Sequence, residues 1–102
     1  MEKMLGTLGY KFEVAEDGYE ALTKATNKKY DLIFMDIVLP EIDGYESARR
    51  ILEHDKTYLI VAYTADNMPD SRRKAELSGI RDFISKPVRV DDLKKIFAKY
   101  FH

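Results

Sequence analysis

The run Asp31-Leu32-Ile33-Phe34-Met35-Asp36 constrains this chain more than any other, because four consecutive apolar side chains stop at a single carboxylate. A short continuous apolar run suits a strand buried on both faces, as inside a parallel sheet covered by helices. Pro40 and Gly44 then shape a turn. In open parallel sheets ligands sit in the crevice beyond the carboxyl ends of the strands, so Asp36 leaves its strand where chemistry is done. On this stretch alone the simplest reading is still an aspartate that makes an Asx-turn.

Two further strand ends shift the balance. The apolar run Tyr58 to Tyr63 ends at Thr64, and the short run Phe83-Ile84-Ser85 ends at Lys86-Pro87. Consecutive parallel strands would bring a carboxylate, a hydroxyl and an ammonium to one edge. A carboxylate can attack phosphorus, a hydroxyl can donate to a phosphoryl oxygen, and an ammonium can neutralise charge on the transferred group. Together they point to phosphoryl transfer to Asp36.

The rest of the chain supplies alternating elements. Met1, Met4, Leu5 and Leu8 form a helical stripe closed by Gly9. Tyr10 to Ala15 alternates apolar and polar residues, the pattern of an edge strand. Asp17 with Glu20 resembles a capping box for a helix that turns Ala21, Leu22 and Ala25 inward. Asp43 is placed to cap a helix with the stripe Tyr45, Ala48, Ile51 and Leu52. A helix from about Pro69 to Ser78 has a poor stripe, mainly Ala75 and Leu77, so it is the most weakly anchored. The last helix carries Leu93, Ile96, Phe97, Tyr100 and Phe101 inward, with Asp91 and Asp92 at its start and Lys99 and His102 at its end. Helices and strands thus alternate, five and four, in an α/β architecture.

A length of 102 residues fits one domain with one core. A net charge of -1 gives no basis for bulk electrostatic binding to nucleic acid or membrane. No stretch approaches the roughly 18 apolar residues of a membrane span. The absence of cysteine rules out disulfides and thiolate metal sites and suits a reducing, cytoplasmic setting. His54 and His102 have no partner at ligand spacing, and the Arg72-Arg73-Lys74 run reads as a solvated helix face.

In order and spacing, three segments resemble the receiver domain of two-component response regulators and hybrid sensor kinases. They are Asp31 to Asp36 with Leu39-Pro40-Glu41-Ile42-Asp43-Gly44, then Val61-Ala62-Tyr63-Thr64-Ala65, then Asp82-Phe83-Ile84-Ser85-Lys86-Pro87, and the resemblance runs from Met1 to the C-terminus. It implies a flavodoxin-like, doubly wound parallel sheet and one receiver domain over residues 1–102. Asp36 is then the phosphoacceptor, Thr64 the switch hydroxyl, Lys86 the phosphate-contacting lysine and Phe83 the switch aromatic. Magnesium would be held by Asp36, the backbone carbonyl of Val38 and an acidic pair. The implied partner is a histidine kinase or phosphotransfer protein, and the role is signalling rather than enzymatic turnover. The Thr64-Ala65-Asp66-Asn67-Met68 segment and the Ile84-Ser85-Lys86-Pro87 ending are more similar to receivers of hybrid sensor kinases than to those of transcription factors.

The chain departs from the family in one respect. Similar receivers open with an apolar central strand ending in two acidic residues, whereas this sequence starts within the following helix, so four strands are expected and two metal ligands are not supplied. The strand at Tyr10–Ala15 would close up against the central one, or a second chain would fill the gap in a homodimer or strand-swapped assembly. In the first case Glu16 and Asp17 would approach Asp36 as substitute acids. Without such ligands phosphorylation of Asp36 is expected to be slow. The alternative is a phosphorylation-independent, receiver-like interaction module or an inactive fragment. A flavin carrier would need a Ser/Thr-rich phosphate loop, and a hydrolase a nucleophile elbow; neither is visible.

Overall fold

The computed structural model describes residues 2–37, 43–65 and 69–101. Among these lie five helices and three strands: α1 (Glu2–Thr7), α2 (Gly18–Asn27), β1 (Ile33–Met35), α3 (Gly44–His54), β2 (Ile60–Thr64), α4 (Pro69–Leu77), β3 (Asp82–Ser85) and α5 (Val90–Tyr100). The strands form one parallel sheet in the order β1-β2-β3. Ile33 pairs with Ile60 and Met35 with Ala62, while Val61 pairs with Asp82 and Thr64 with Ser85. By contact the chain divides into residues 15–86 and a second unit made of the residues up to 14 with those from 87 on.

Within residues 15–86 the core is built on β2, whose Ile60, Val61 and Ala62 are all fully buried. Full burial of a side chain such as Ile60 stabilises by about 1.5–3 kcal/mol. Ile60 and Ala62 cluster with Ala25 of α2, Met35 of β1, Ile37, Ala48 and Ile51 of α3, Tyr58, Ala75 of α4 and Ile80. Both predicted caps form: Asp17 Oδ1 accepts from the Glu20 amide at 2.8 Å, and Asp43 Oδ1 from the Glu46 amide at 2.8 Å. The α2 box closes differently from the expected one, since Glu20 Oε2 accepts from the backbone of Glu16, 3.3 Å away, rather than from the cap residue. Two buried polar side chains join segments. Ser47 Oγ donates to the Gly18 carbonyl at 3.0 Å, and Tyr58 Oη lies 2.6 Å from the Ala25 carbonyl and 2.8 Å from that of Lys28.

The second unit holds α1, the segment after it, and α5. Gly9 adopts φ 85°, the left-handed conformation that ends α1. Leu5, Leu93, Ile96 and Phe97 are buried. Tyr10 stacks on Phe97 with ring centroids 4.1 Å apart, and Phe97 meets Phe101 at 6.1 Å. The Arg89 amide donates to Asp92 Oδ2 at 3.0 Å, which fastens the first turn of α5.

Four expectations are corrected, the first being Phe101, which stands just past the end of α5 and is 38% exposed rather than turned inward. Residues 10–15 carry no strand and join no ladder, so the described sheet has three strands rather than four. Alternation marks a segment that could lie on a pleated sheet, but a strand exists only where a neighbour completes its hydrogen bonds. Leu32, Ile33 and Phe34 are half-buried rather than enclosed, because β1 ends the described strand order. Leu77 is 78% exposed; two residues along a helix from buried Ala75 is a rotation of roughly 200°, onto the opposite face. No helix among the described residues is long and apolar enough to cross a membrane.

A polar clamp fixes the turn between α3 and β2. Lys29 Nζ lies 2.7 Å from Asp55 Oδ2, 2.6 Å from Thr57 Oγ1 and 4.0 Å from the centre of the Tyr58 ring. Hydrogen bonds from the Lys29 ammonium, then from the Thr57 side chain and backbone, hold the Asp55 carboxyl well below its ordinary value of 3.8. A depressed carboxyl pKa stabilises the folded state above the ordinary value, and this contribution disappears as pH falls toward the folded one. Asp55→Asn is therefore expected to lower the urea midpoint at pH 7, with the gap from the parent narrowing steadily as pH drops below 3.8. Paired urea titrations at neutral and acid pH check this.

Candidate functional site

The parallel register brings three strand ends to one edge. Asp36 directly follows β1, Thr64 is the last residue of β2, and Lys86 directly follows β3. The Lys86 amide donates to the Thr64 carbonyl at 2.8 Å, so the β2–β3 ladder extends one step and fixes where the lysine departs. Its side chain reaches across, with Nζ 2.8 Å from Asp36 Oδ2. Both side chains are about one-third exposed, at 34% and 30%, so the pair borders solvent. Thr64, by contrast, is only 2% exposed.

The start of α3 sets the path of the chain around Asp36. The Gly44 amide donates to the Ile37 carbonyl at 3.0 Å. A Cβ on Gly44 would overlap the Asp36 carbonyl oxygen and stand 2.7 Å from Ile37 Cα. Only glycine lets the helix come this close to the exit of β1.

Phe83 pairs with Ala62 in the sheet, and its half-buried ring lies under Arg72 of α4, whose guanidinium carbon is 4.8 Å from the ring centre. Tyr45 Oη donates to the Ser71 carbonyl at 3.1 Å, a tie between α3 and α4. Ala75 is the buried residue of α4, so these polar contacts carry much of its attachment.

The structure thus brings Asp36 and Lys86 into direct contact and joins Thr64 to Lys86 through the backbone. Phe83 stands three residues before Lys86, in contact with α4 through Arg72. Val38 lies outside the described residues. Sequence reasoning missed two neighbours. Tyr63 sits with its ring centre 4.7 Å from Lys86 Nζ, and its place beside Thr64 at a strand end was the available signal. Arg72 belongs to a run that reads as a solvated helix face, and nothing in its spacing points to Phe83.

Magnesium takes oxygen ligands in an octahedral array, usually one or two carboxylates with waters or phosphate oxygens. Among the described residues no three acidic, histidine or cysteine side chains gather to hold a metal ion. The Asp36 carboxylate is engaged by an ammonium, and Asp17 is committed to its helix cap. Glu16 and Asp17 therefore do not restore an acidic pair, and the described donors do not fit a magnesium site.

The structure is thus an open parallel α/β sheet with an aspartate and a lysine paired beyond its carboxyl edge. Residues 1–98 match the response regulator receiver domain. The chain belongs to that family. It is 35% identical over 108 residues to hybrid signal transduction histidine kinase L of Dictyostelium discoideum, covering 98% of this chain and 6% of that protein. The chain thus spans a small fraction of the curated relatives it matches. Among solved structures, the receiver domain of a sensor histidine kinase from Pseudomonas aeruginosa, with a magnesium ion coordinated in its active-site cleft, aligns with a TM-score of 0.89 at 33% identity, over 97% of this chain and 83% of that one. The receiver domain of a Saccharomyces cerevisiae response regulator, solved with its histidine phosphotransfer signalling protein, aligns with a TM-score of 0.88 at 32% identity, over 97% of this chain and 77% of that one. The fold is the flavodoxin-like receiver fold, and the family is that of two-component signalling.

Proposed function

We propose that residues 1–102 act as one phosphorelay receiver in which Asp36 accepts a phosphoryl group from a phosphohistidine. The observation that carries this reading is the 2.8 Å contact between Lys86 Nζ and Asp36 Oδ2 at the carboxyl edge of the sheet. A carboxylate oxygen of Asp36 forms the new O–P bond while the P–N bond to the donor imidazole breaks, and the electron pair stays on the imidazole nitrogen. Phosphoryl transfer asks little covalent chemistry of the protein, so positioning and charge neutralisation set the rate. Lys86 supplies both. The acyl phosphate would then be read by the Thr64 hydroxyl and by Phe83, whose ring is linked to α4 through Arg72.

The donor is a histidine kinase or a phosphotransfer protein, and the chain is an acceptor rather than an enzyme that turns over. On this reading it works in the cytoplasm. Family resemblance assigns magnesium to Asp36 and the Val38 carbonyl, but the described donors do not complete such a site, and no step here passes through the metal. Losing an electrostatic group at a phosphoryl transition state costs roughly 10²-fold or more in rate, so a site whose metal ligands are not completed is expected to label slowly.

A second reading, a phosphorylation-independent interaction module, draws on the same observation that no three acidic, histidine or cysteine side chains gather among the described residues. Incubation with a small-molecule phosphodonor and magnesium, followed by intact-mass measurement, separates the two. A slow phosphoryl mass increment that Asp36→Asn lacks supports the acceptor. No increment over many hours would leave the interaction module. Rapid stoichiometric labelling would mean that the metal site is completed by groups outside the described residues.

A further inference from the structure

Lys86 carries its charge on a flexible four-carbon stem, and an ion pair that borders solvent holds such a side chain only weakly. A second contact is built into the sheet. Tyr63 pairs with Ile84 in the parallel ladder, and residues two apart along a strand share a face. The ladder runs on to Lys86, whose amide donates to the Thr64 carbonyl at 2.8 Å, so Tyr63 and Lys86 are diagonal neighbours. The half-buried Tyr63 ring has Lys86 Nζ over it, 4.7 Å from its centre. An aromatic face attracts a cation within about 6 Å.

We propose that Tyr63 is a positioning residue for Lys86, its ring keeping the ammonium at the carboxyl edge of the sheet while Asp36 is phosphorylated. The inference rests on the phosphoacceptor reading of Asp36. As the O–P bond forms and the P–N bond of the donor breaks, the Asp36 carboxylate becomes a neutral acyl group and negative charge stays on the phosphoryl oxygens. The 2.8 Å ion pair that holds Lys86 at rest is therefore lost during the step that needs the lysine. The ring takes no part in the bond change and holds the ammonium throughout. A charge already in place needs no reorganisation at the moment of reaction. Because the attraction comes from the ring quadrupole, phenylalanine serves as well as tyrosine and an aliphatic side chain does not.

Rates of phosphoryl mass increment with a small-molecule phosphodonor and magnesium test this. Tyr63→Leu is expected to slow labelling about fivefold, the effect of losing a partly exposed cation–π contact, while Tyr63→Phe labels at the native rate. In a Lys86→Met background Tyr63→Leu should change nothing further, since the two residues act as a coupled pair. A tyrosine that merely supports the sheet would slow labelling in both backgrounds, and a role for its hydroxyl would make Tyr63→Phe as slow as Tyr63→Leu. Either result overturns the inference, as does a Tyr63→Leu protein that labels at the native rate. A second readout needs no phosphoryl transfer. The Lys86 ε-methylene protons should be displaced upfield by the ring current in the native chain and in Tyr63→Phe, and should return to ordinary lysine shifts in Tyr63→Leu. A native chain that never labels would sink the phosphoacceptor reading and leave the placement of Lys86 by Tyr63 to be decided by these shifts alone; no upfield displacement in the native chain overturns it.

Discussion

Replacing Lys86 with methionine is expected to slow phosphoryl transfer to Asp36 by roughly 10²-fold, the usual cost of losing one preorganised charge at a developing phosphoryl transition state. The same change should barely alter stability. The Lys86–Asp36 pair borders solvent, with one side chain 34% and the other 30% exposed, and ion pairs in such settings stabilise by about 1 kcal/mol or less. Methionine retains most of the apolar stem that passes Tyr63. Rates of mass increment with a small-molecule phosphodonor, measured beside denaturation midpoints, separate the two effects. An equal rate in the variant would remove Lys86 from the proposed chemistry.

The largest stability effect is expected at Gly44. In Gly44→Ala the added methyl meets main chain rather than a movable side chain, 2.7 Å from Ile37 Cα. Forcing atoms into such a contact costs typically 1–3 kcal/mol, and a backbone obstacle puts this site at the upper end, near 3 kcal/mol. Relief requires either the start of α3 or the exit of β1 to move, so Asp36 moves with it and labelling should fall as well. Gly6→Ala is the matched control. There the nearest heavy atom to a new Cβ is Phe12 Cε1 at 4.0 Å, and alanine in a helix is favoured over glycine by about 0.5–1 kcal/mol. The same substitution is thus expected to shift the denaturation midpoint down at one glycine and up at the other.

The order of elements could be read from the sequence because apolar runs and caps are local signals. Ile60 to Thr64 forms a strand, and Asp17 and Asp43 cap helices, for reasons contained within a few residues. The juxtaposition of Asp36 and Lys86 was legible too, since both directly follow apolar runs and parallel strands end on the same edge. Tyr10 to Ala15 alternates yet forms no strand, because alternation reports which faces a segment could present, not whether a neighbour exists to pair with it. Leu32 to Phe34 show the same gap, as apolar composition does not reveal that a strand stands last in the described sheet. The Leu77 error was one of angle, and helical geometry alone would have corrected it. Contacts such as Arg72 on Phe83, Tyr45 on Ser71 and Lys29 on Asp55 join residues 11 to 26 positions apart, and no local pattern marks them.

The attachment of α4 has a calorimetric consequence. The heat capacity of exposing a segment scales with the apolar area it uncovers, and of α4's own side chains Ala75 is buried while Leu77 already faces water. Lifting this helix away therefore carries a smaller heat-capacity change than opening the core around Ile60, and its opening equilibrium is less curved in temperature. The Arg72–Phe83 contact is electrostatic in origin and the helix is highly charged, so ionic strength is the variable to which α4 responds. Warming the protein would act mainly on its core, and changing the salt mainly on this helix.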